Sequence, residues 1–337
     1  MPGPGHDSHA HRLSVAPMMD WTDRHCRVFH RLLAPHARLY TEMVHAQAVI
    51  HGDRERLLGF DPVEHPVALQ LGGSDPAHLA QATRIGADWG YDEVNLNVGC
   101  PSDRVQAGRF GACLMKEPAL VADCVAAMIA AAPAHVPVTV KCRLGVDEME
   151  DYDVFLAFID TVAAAGCGVF VVHARKAWLQ GLSPKENREI PPLRYEWVHR
   201  LKGERPELVV SINGGLATVE DVLEHSRDLD GAMIGRAAYH EPYRLHLMDR
   251  ALFEPARAPE DRADLLRKLR PYIEDCLARG VALKHISRHL LGLFHGQPGG
   301  RLFRQVLSEG APRAGAGWEL VERALAETRR DPDRSAT

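Results

Sequence analysis

Short apolar runs recur along the chain about every thirty residues from residue 13 onward, each followed by a loop and then by helical spacing. They fall at 14–18, 39–42, 66–70, 93–97, 137–141, 169–173, 208–213 and 231–235. Their Val, Ile and Leu content suits parallel strands buried on both faces. Eight strands, each followed by a helix, predict an α/β protein with a closed (β/α)8 TIM barrel rather than an open doubly wound sheet. Helix starts are legible between them: Ser74-Asp75-Pro76 is a cap with proline in the first turn, and Glu117-Pro118 opens an alanine-rich helix. Two connections are longer than the usual two to six residues. One runs from Asp103 to Leu114 after the fourth strand, and the other from Lys176 to Tyr195 after the sixth. Both would overhang one mouth of the barrel, and Gly108 and Gly111 would let the first move as a lid.

Beyond Arg236 no further strand is expected. Residues 254–259 read as a linker, and helical spacing at 261–278, 282–293, 301–307 and 318–328 predicts a C-terminal α-helical bundle. The predicted organisation is a disordered tail at 1–12, a barrel domain at 13–253, a helical domain at 260–329 and a frayed tail at 330–337.

Composition narrows the class. A hydrophobic share of 46% with 25% charged residues is ordinary for a globular chain and argues against disorder and against a fibrous protein. No apolar run is long enough to span a membrane, because Pro133 and Pro137 interrupt even the alanine-rich stretch. The amino terminus lacks the features of a secretory signal, and seven scattered cysteines form neither a disulfide framework nor a metal-ligand pattern, so the expectation is a cytoplasmic protein without a metal. His6, His9 and His11 are expected to be solvated in the tail. Net charge is −5, yet residues 262–330 carry 13 Lys/Arg against 7 Asp/Glu, a local +6 that leaves −11 elsewhere. That imbalance fits either a solvated helical surface or a polyanion-binding one.

The candidate chemistry lies at strand ends, since side chains there face the mouth where barrel enzymes act. Gln70, Asn97, Lys141, His173 and Asn213-Gly214-Gly215 end strands three to seven, and Gly235-Arg236 closes the eighth. Gly-Cys-Pro after the fourth strand puts the Cys100 thiol on a turn, where it is either a functional group or a small buried filler. Glycines on the last two strand loops, with the Arg236 guanidinium, suit a phosphate. Lys141 and His173 allow three readings: a Schiff-base lysine, stabilisation of negative charge on a reduced flavin, or pairing with rim carboxylates.

Five motifs, Ser14-Val15-Ala16-Pro17-Met18-Met19-Asp20-Trp21-Thr22, Leu96-Asn97-Val98-Gly99-Cys100-Pro101-Ser102, His173-Ala174-Arg175, Ile212-Asn213-Gly214-Gly215 and Gly235-Arg236, closely resemble the tRNA-dihydrouridine synthase family. The stretch from Arg175 to Arg188 resembles its A branch. The resemblance implies an FMN-binding barrel that uses NADPH, with NADH as the alternative reductant, to reduce D-loop uridines of tRNA, U20 and U20a in this branch, to 5,6-dihydrouridine. It implies that Pro17, Met18 and Met19 line the flavin, that Gln70, Lys141 and His173 contact its ring, and that Asn213, Gly214, Gly215, Gly235 and Arg236 hold its phosphate. Cys100 corresponds to the family's proton donor and Asn97 to a contact for the target base.

The chemistry of the residues agrees with this: adding hydrogen across C5=C6 needs hydride on C6 from one face and a proton on C5 from an acid on the other, and a thiol is a suitable acid. Lys185, Arg188, Arg288, Arg301 and Arg304 are the candidate tRNA phosphate contacts. No G-x-G-x-x-G is present, so the nicotinamide is expected to visit the flavin directly. The protein is expected to act as a monomer. The rival reading is a flavin-dependent dehydrogenase or reductase of a free pyrimidine, like dihydroorotate dehydrogenase, which would have no use for a basic helical domain.

Overall fold

Eight parallel strands close into a barrel in sequence order: β1 (Leu13–Val15), β2 (Arg38–His45), β3 (Val67–Gly72), β4 (Glu93–Val98), β5 (Val138–Arg143), β6 (Val169–His173), β7 (Val209–Asn213) and β8 (Gly231–Ile234). The computed structural model describes residues 8–329. All eight predicted strands are present. β2 runs three residues further than expected, with a register shift against β3 between Tyr40 and Met43. Each strand is followed by at least one helix. Asp75 caps Pro76–Trp89, whose end is turned by Gly90 at φ 101°, and Pro118 begins Pro118–Ala131.

β4 shows how the pattern works. Val94, Leu96 and Val98 face the surrounding helices and join the main apolar core, while Glu93, Asn95 and Asn97 point into the barrel. The strand is buried on both faces as expected, but only its outward face is apolar, since the inward face carries a carboxylate and two amides.

The expected tail at 1–12 also needs correcting at its inner end. Ser8–His11 form a single 3-10 turn. His11 is only 3% exposed, its carbonyl is met by the Ser211 hydroxyl, and Arg12 O accepts from Ala232 N. This turn closes the amino-terminal end of the barrel, so His11 is not a solvated tail residue. Residues 1–7, including His6, and the predicted frayed tail at 330–337 lie outside the described residues.

The C-terminal part is helical, as predicted, but more broken. The stretch 261–278 is two helices, Arg262–Arg267 and Arg270–Ala278, because Pro271 has no N–H to continue the ladder and sits in the first turn of the second. In 282–293 only Leu283–Ser287 is α-helical, and tight turns follow, with His289 N bonded to Ile286 O and Leu293 N to Leu290 O. Gly300–Gly310 and Trp318–Glu327 complete the set. The helical part does not have a core of its own: Val28, Phe29 and Leu33, from the first barrel helix (Arg24–Leu33), pack into its apolar cluster. No described helix is long and apolar enough to cross a membrane.

Candidate active site at the barrel mouth

Asn97, near the end of β4, organises the turn that carries Cys100. Its Oδ1 accepts from Gly99 N at 3.1 Å and Cys100 N at 3.0 Å, and Ala112 N donates to Cys100 O at 2.9 Å. The cysteine backbone is thus held at both its N–H and its C=O, and the half-buried thiol lies 3.5 Å from Ser102 Oγ. The two glycines expected to hinge a lid serve packing instead. A Cβ on Gly108 would lie 2.4 Å from the buried Phe110 ring, and Gly111, at φ 76°, would place one 2.6 Å from Cys100 O. This segment is partly helical over Asp103–Ala107. Gln106 Nε2 ties it to Pro101 O at 2.8 Å and to Leu179 O at 2.7 Å on the second long loop.

Arg143, at the end of β5 and 3% exposed, joins the Cys100 turn to the second long loop: it donates to Gly99 O at 2.9 Å, Lys176 O at 3.1 Å and Asn187 O at 2.9 Å. Sequence reading overlooked it, because a strand-end arginine beside Lys141 suggests a rim charge and not a buried strap. Asn187, fully buried, pins the second loop by accepting from Trp178 N and donating to Trp178 O and Leu182 O.

Lys141 Nζ donates to Asn213 Oδ1 at 3.0 Å, and Asn213 Nδ2 donates to Met233 O. Among the described residues the Lys141 ammonium has no carboxylate partner, and burial, reinforced by Arg143, pushes its pKa down to about 8. His173 is pushed well below the ordinary histidine range, by burial first and then by Arg143 and Lys141. It is neutral at pH 7, so the positive charge expected from the Lys141–His173 pair comes from Lys141 and Arg143. A Cβ on Gly214 would strike the His173 ring at 2.4 Å, which accounts for glycine there.

The phosphate expectation can be tested on the backbone. Gly214 and Gly215 adopt φ 106° and 75°, and among the described residues the N–H groups of Gly214, Gly215 and Arg236 donate to nothing. Three free donors at the ends of β7 and β8, with a cationic mouth beside them, fit an anionic cofactor group. A Cβ on Gly235 would have only Ala16 Cβ, 3.9 Å away, within reach. The Arg236 side chain is turned outward to Glu189 Oε1 at 2.6 Å. Met18 packs over the apolar cluster inside the barrel and Pro17 is half-buried, but Met19 is 56% exposed. The Gln70 amide is engaged at both ends, by Asn95 and Asn97.

The expected tRNA contacts separate. Lys185 and Arg188 lie exposed on the second long loop at the mouth, and Arg301 and Arg304 lie on the helix Gly300–Gly310 without an acidic partner among the described residues. Arg288 donates to Asp20 O, and the neighbouring His289 binds the Asp23 carboxylate at 3.0 Å. Trp21 stacks on Tyr239 with ring centroids 4.5 Å apart. The helical part therefore grips the β1 loop that carries Pro17 and Met18.

A family model described as dihydrouridine synthase (Dus) matches residues 14–329. The chain belongs to that family. It is 71% identical over 317 residues to the tRNA-dihydrouridine(20/20a) synthase of Xanthomonas axonopodis pv. citri, covering 94% of each chain. It is 55% identical over 319 residues to the protein of the same name from Synechocystis sp., covering 95% of each. Among solved structures it is similar in fold to the old yellow enzyme homologue from Zymomonas mobilis, with a TM-score of 0.50, 14% identity, and 74% of this chain and 90% of that one covered. Family membership makes the chain a flavin-dependent oxidoreductase. The mouth described above, with its free backbone donors and buried cations, has the chemistry such a cofactor requires.

Proposed function

We propose that this enzyme reduces the C5=C6 bond of D-loop uridines in tRNA, U20 and U20a, with FMN as the flavin and NADPH as its reductant, and that it works in the cytoplasm. The observation that carries the reading is the Cys100 turn, which is pinned at both backbone groups and presents a half-buried thiol at the mouth beside Lys141 and Arg143. When bound, the flavin supplies the hydride that reaches C6. Cys100 Sγ gives its proton to C5, and the resulting thiolate is reprotonated from solvent, so that two electrons and two hydrogens are gained by the base. Asn97, with its carbonyl committed to the turn, orients the acid and borders the base. Lys141 and Arg143 keep the mouth cationic with no carboxylate among the described residues to neutralise them, and the free N–H groups of Gly214, Gly215 and Arg236 would hold the FMN phosphate.

A uridine within folded tRNA has to leave its stack to reach this depth. Lys185 and Arg188 are exposed on the second long loop, and Arg301 and Arg304 add cations on the helical part without an acidic partner among the described residues, which supports a polynucleotide over a free pyrimidine. The deciding experiment compares wild type with Cys100→Ala. Dihydrouridine is mapped by mass spectrometry in tRNA incubated with NADPH, and flavin reoxidation by tRNA is followed by stopped flow on prereduced enzyme. The expected result is dihydrouridine at U20 and U20a and a loss of roughly 10²- to 10⁴-fold in the variant's reoxidation rate. An unchanged rate would remove Cys100 from the reaction, and turnover of free uracil with none of tRNA would favour the rival substrate.

A further inference from the structure

The mouth stands on a column of buried polar side chains that runs down to the floor of the barrel. Asn97, which holds Gly99 N and Cys100 N through its Oδ1, donates from Nδ2 to Gln70 Oε1 at 2.9 Å. Gln70 Nε2 donates to Asn95 Oδ1 at 2.8 Å, and Asn95 Nδ2 donates to Thr139 Oγ1 at 2.8 Å. The Thr139 hydroxyl donates to Glu93 Oε1 at 2.5 Å, and Tyr40 OH reaches the same oxygen at 2.6 Å. Glu93, Asn95 and Thr139 are fully buried, so water does not compete for these bonds. Arg38, with NH1 at 3.4 Å, and His11, with Nε2 at 3.7 Å, flank the other carboxylate oxygen.

The direction of the column is dictated from its ends. Backbone N–H groups only donate, so Asn97 has to turn its carbonyl toward the Cys100 turn and its NH2 downward. Gln70 then has to offer its oxygen upward and its NH2 to Asn95, and Asn95 has to do the same toward Thr139. The hydroxyl, having accepted from above, gives its proton below, where the group has to be an acceptor. A carboxylate is such a group, and it cannot donate back and reverse the chain.

We propose that Glu93, Thr139 and Asn95 are positioning residues that set the Cys100 turn from the opposite end of the barrel by fixing which way the Gln70 and Asn97 amides point. The inference rests on Cys100 being the acid only for its effect on rate. The placement itself is a property of the turn.

The test is Thr139→Val in the flavin-loaded, full-length enzyme. Valine keeps the shape but removes the hydroxyl, leaving Asn95 Nδ2 without an acceptor and freeing the amides above to turn over. A reversed Asn97 would face Gly99 N and Cys100 N donor to donor and push the turn away. Cys100 alkylation by iodoacetamide, followed by peptide mass spectrometry without tRNA, is expected to accelerate several-fold. A displaced turn should lower kcat by roughly 10²-fold with KM for tRNA within about twofold of wild type. Thr139→Ser, which restores the hydroxyl, should return both values.

Wild-type alkylation in Thr139→Val, or no recovery in Thr139→Ser, overturns the proposal. Should the valine variant fail to fold, amide hydrogen exchange on the wild type still decides, since fast exchange at Gly99 and Cys100 would contradict a turn held by Asn97. If Cys100→Ala proves as fast as wild type while Thr139→Val still alters alkylation, the column stands and the acid assignment falls.

Discussion

The barrel mouth and the helical part both concentrate basic side chains, yet they handle that charge in opposite ways. At the mouth, Arg143 gives its donors to three backbone carbonyls and Lys141 to an amide oxygen. Neither has a carboxylate partner among the described residues. In the helical part four cations near the surface are answered by acids: Arg267 by Glu322 at 3.2 Å, Arg270 by Glu274 at 2.8 Å, Arg279 by Asp275 at 2.7 Å and Lys268 by Glu260. Arg262, Lys284, Arg288, Arg301, Arg304, Arg313, Arg323 and Arg329 are left without one among the described residues. The local excess of positive charge therefore overstates what the helical surface can offer a polyanion. Arg236 at the rim is answered by Glu189, but the deeper Lys141 and Arg143 are uncompensated among the described residues, and this gives them leverage over bound negative charge in a low-dielectric site.

The sharpest way to break the contrast is Arg143→Met, which strips one buried and two half-buried carbonyls of their donor. At ~1–3 kcal/mol for a buried unsatisfied group the loss should be about 2 kcal/mol or more, and the Cys100 turn and the second long loop should loosen. Chemical denaturation measures the first, and limited proteolysis between residues 176 and 195 the second. A variant with a wild-type midpoint and intact loops would show that the strap is dispensable.

Lys141 gives a pH signature of smaller size. Its pKa is lowered from 10.5 to about 8, so between those values the unfolded chain binds a proton that the folded chain has released, and stability rises with pH across that window. Activity that needs the ammonium moves the other way, falling about tenfold per pH unit above pH 8. Lys141→Arg should move that fall above the accessible range. A rate for wild type that stays flat to pH 9.5 would show that the ammonium is not needed.

The smallest effects separate the two kinds of helical arginine. Arg301→Ala and Arg304→Ala should each lower the salt slope of tRNA binding by about one unit. Arg267→Ala, which removes a partner of Glu322, should leave the slope unchanged and cost about 1 kcal/mol or less, as exposed pairs do. Equal slopes in all three variants would make the distinction between paired and unpaired cations meaningless for binding.

What the chain of residues determined by itself was the order of elements and most of the mouth. Strand and helix periods are local, turn glycines and prolines mark their boundaries, and in a parallel barrel the carboxyl end of every strand lies on one face, so Gln70, Asn97, Lys141, His173 and Asn213 could be placed together from sequence alone. Tertiary structure decided where each polar group found its partner. Arg143 became a strap because two loops distant in sequence bring their carbonyls to it, and Arg236 turned to Glu189 because the second long loop folds over it.

His11 became a buried plug only once β1, β7 and β8 had closed. The column from Glu93 to Asn97 was invisible for the same reason: its members lie on three strands, and their inward direction shows only when the barrel shuts and water is excluded. Periodicity along a chain records which face is apolar, whereas the pairing of buried polar atoms depends on contacts between segments far apart, and no local pattern encodes those.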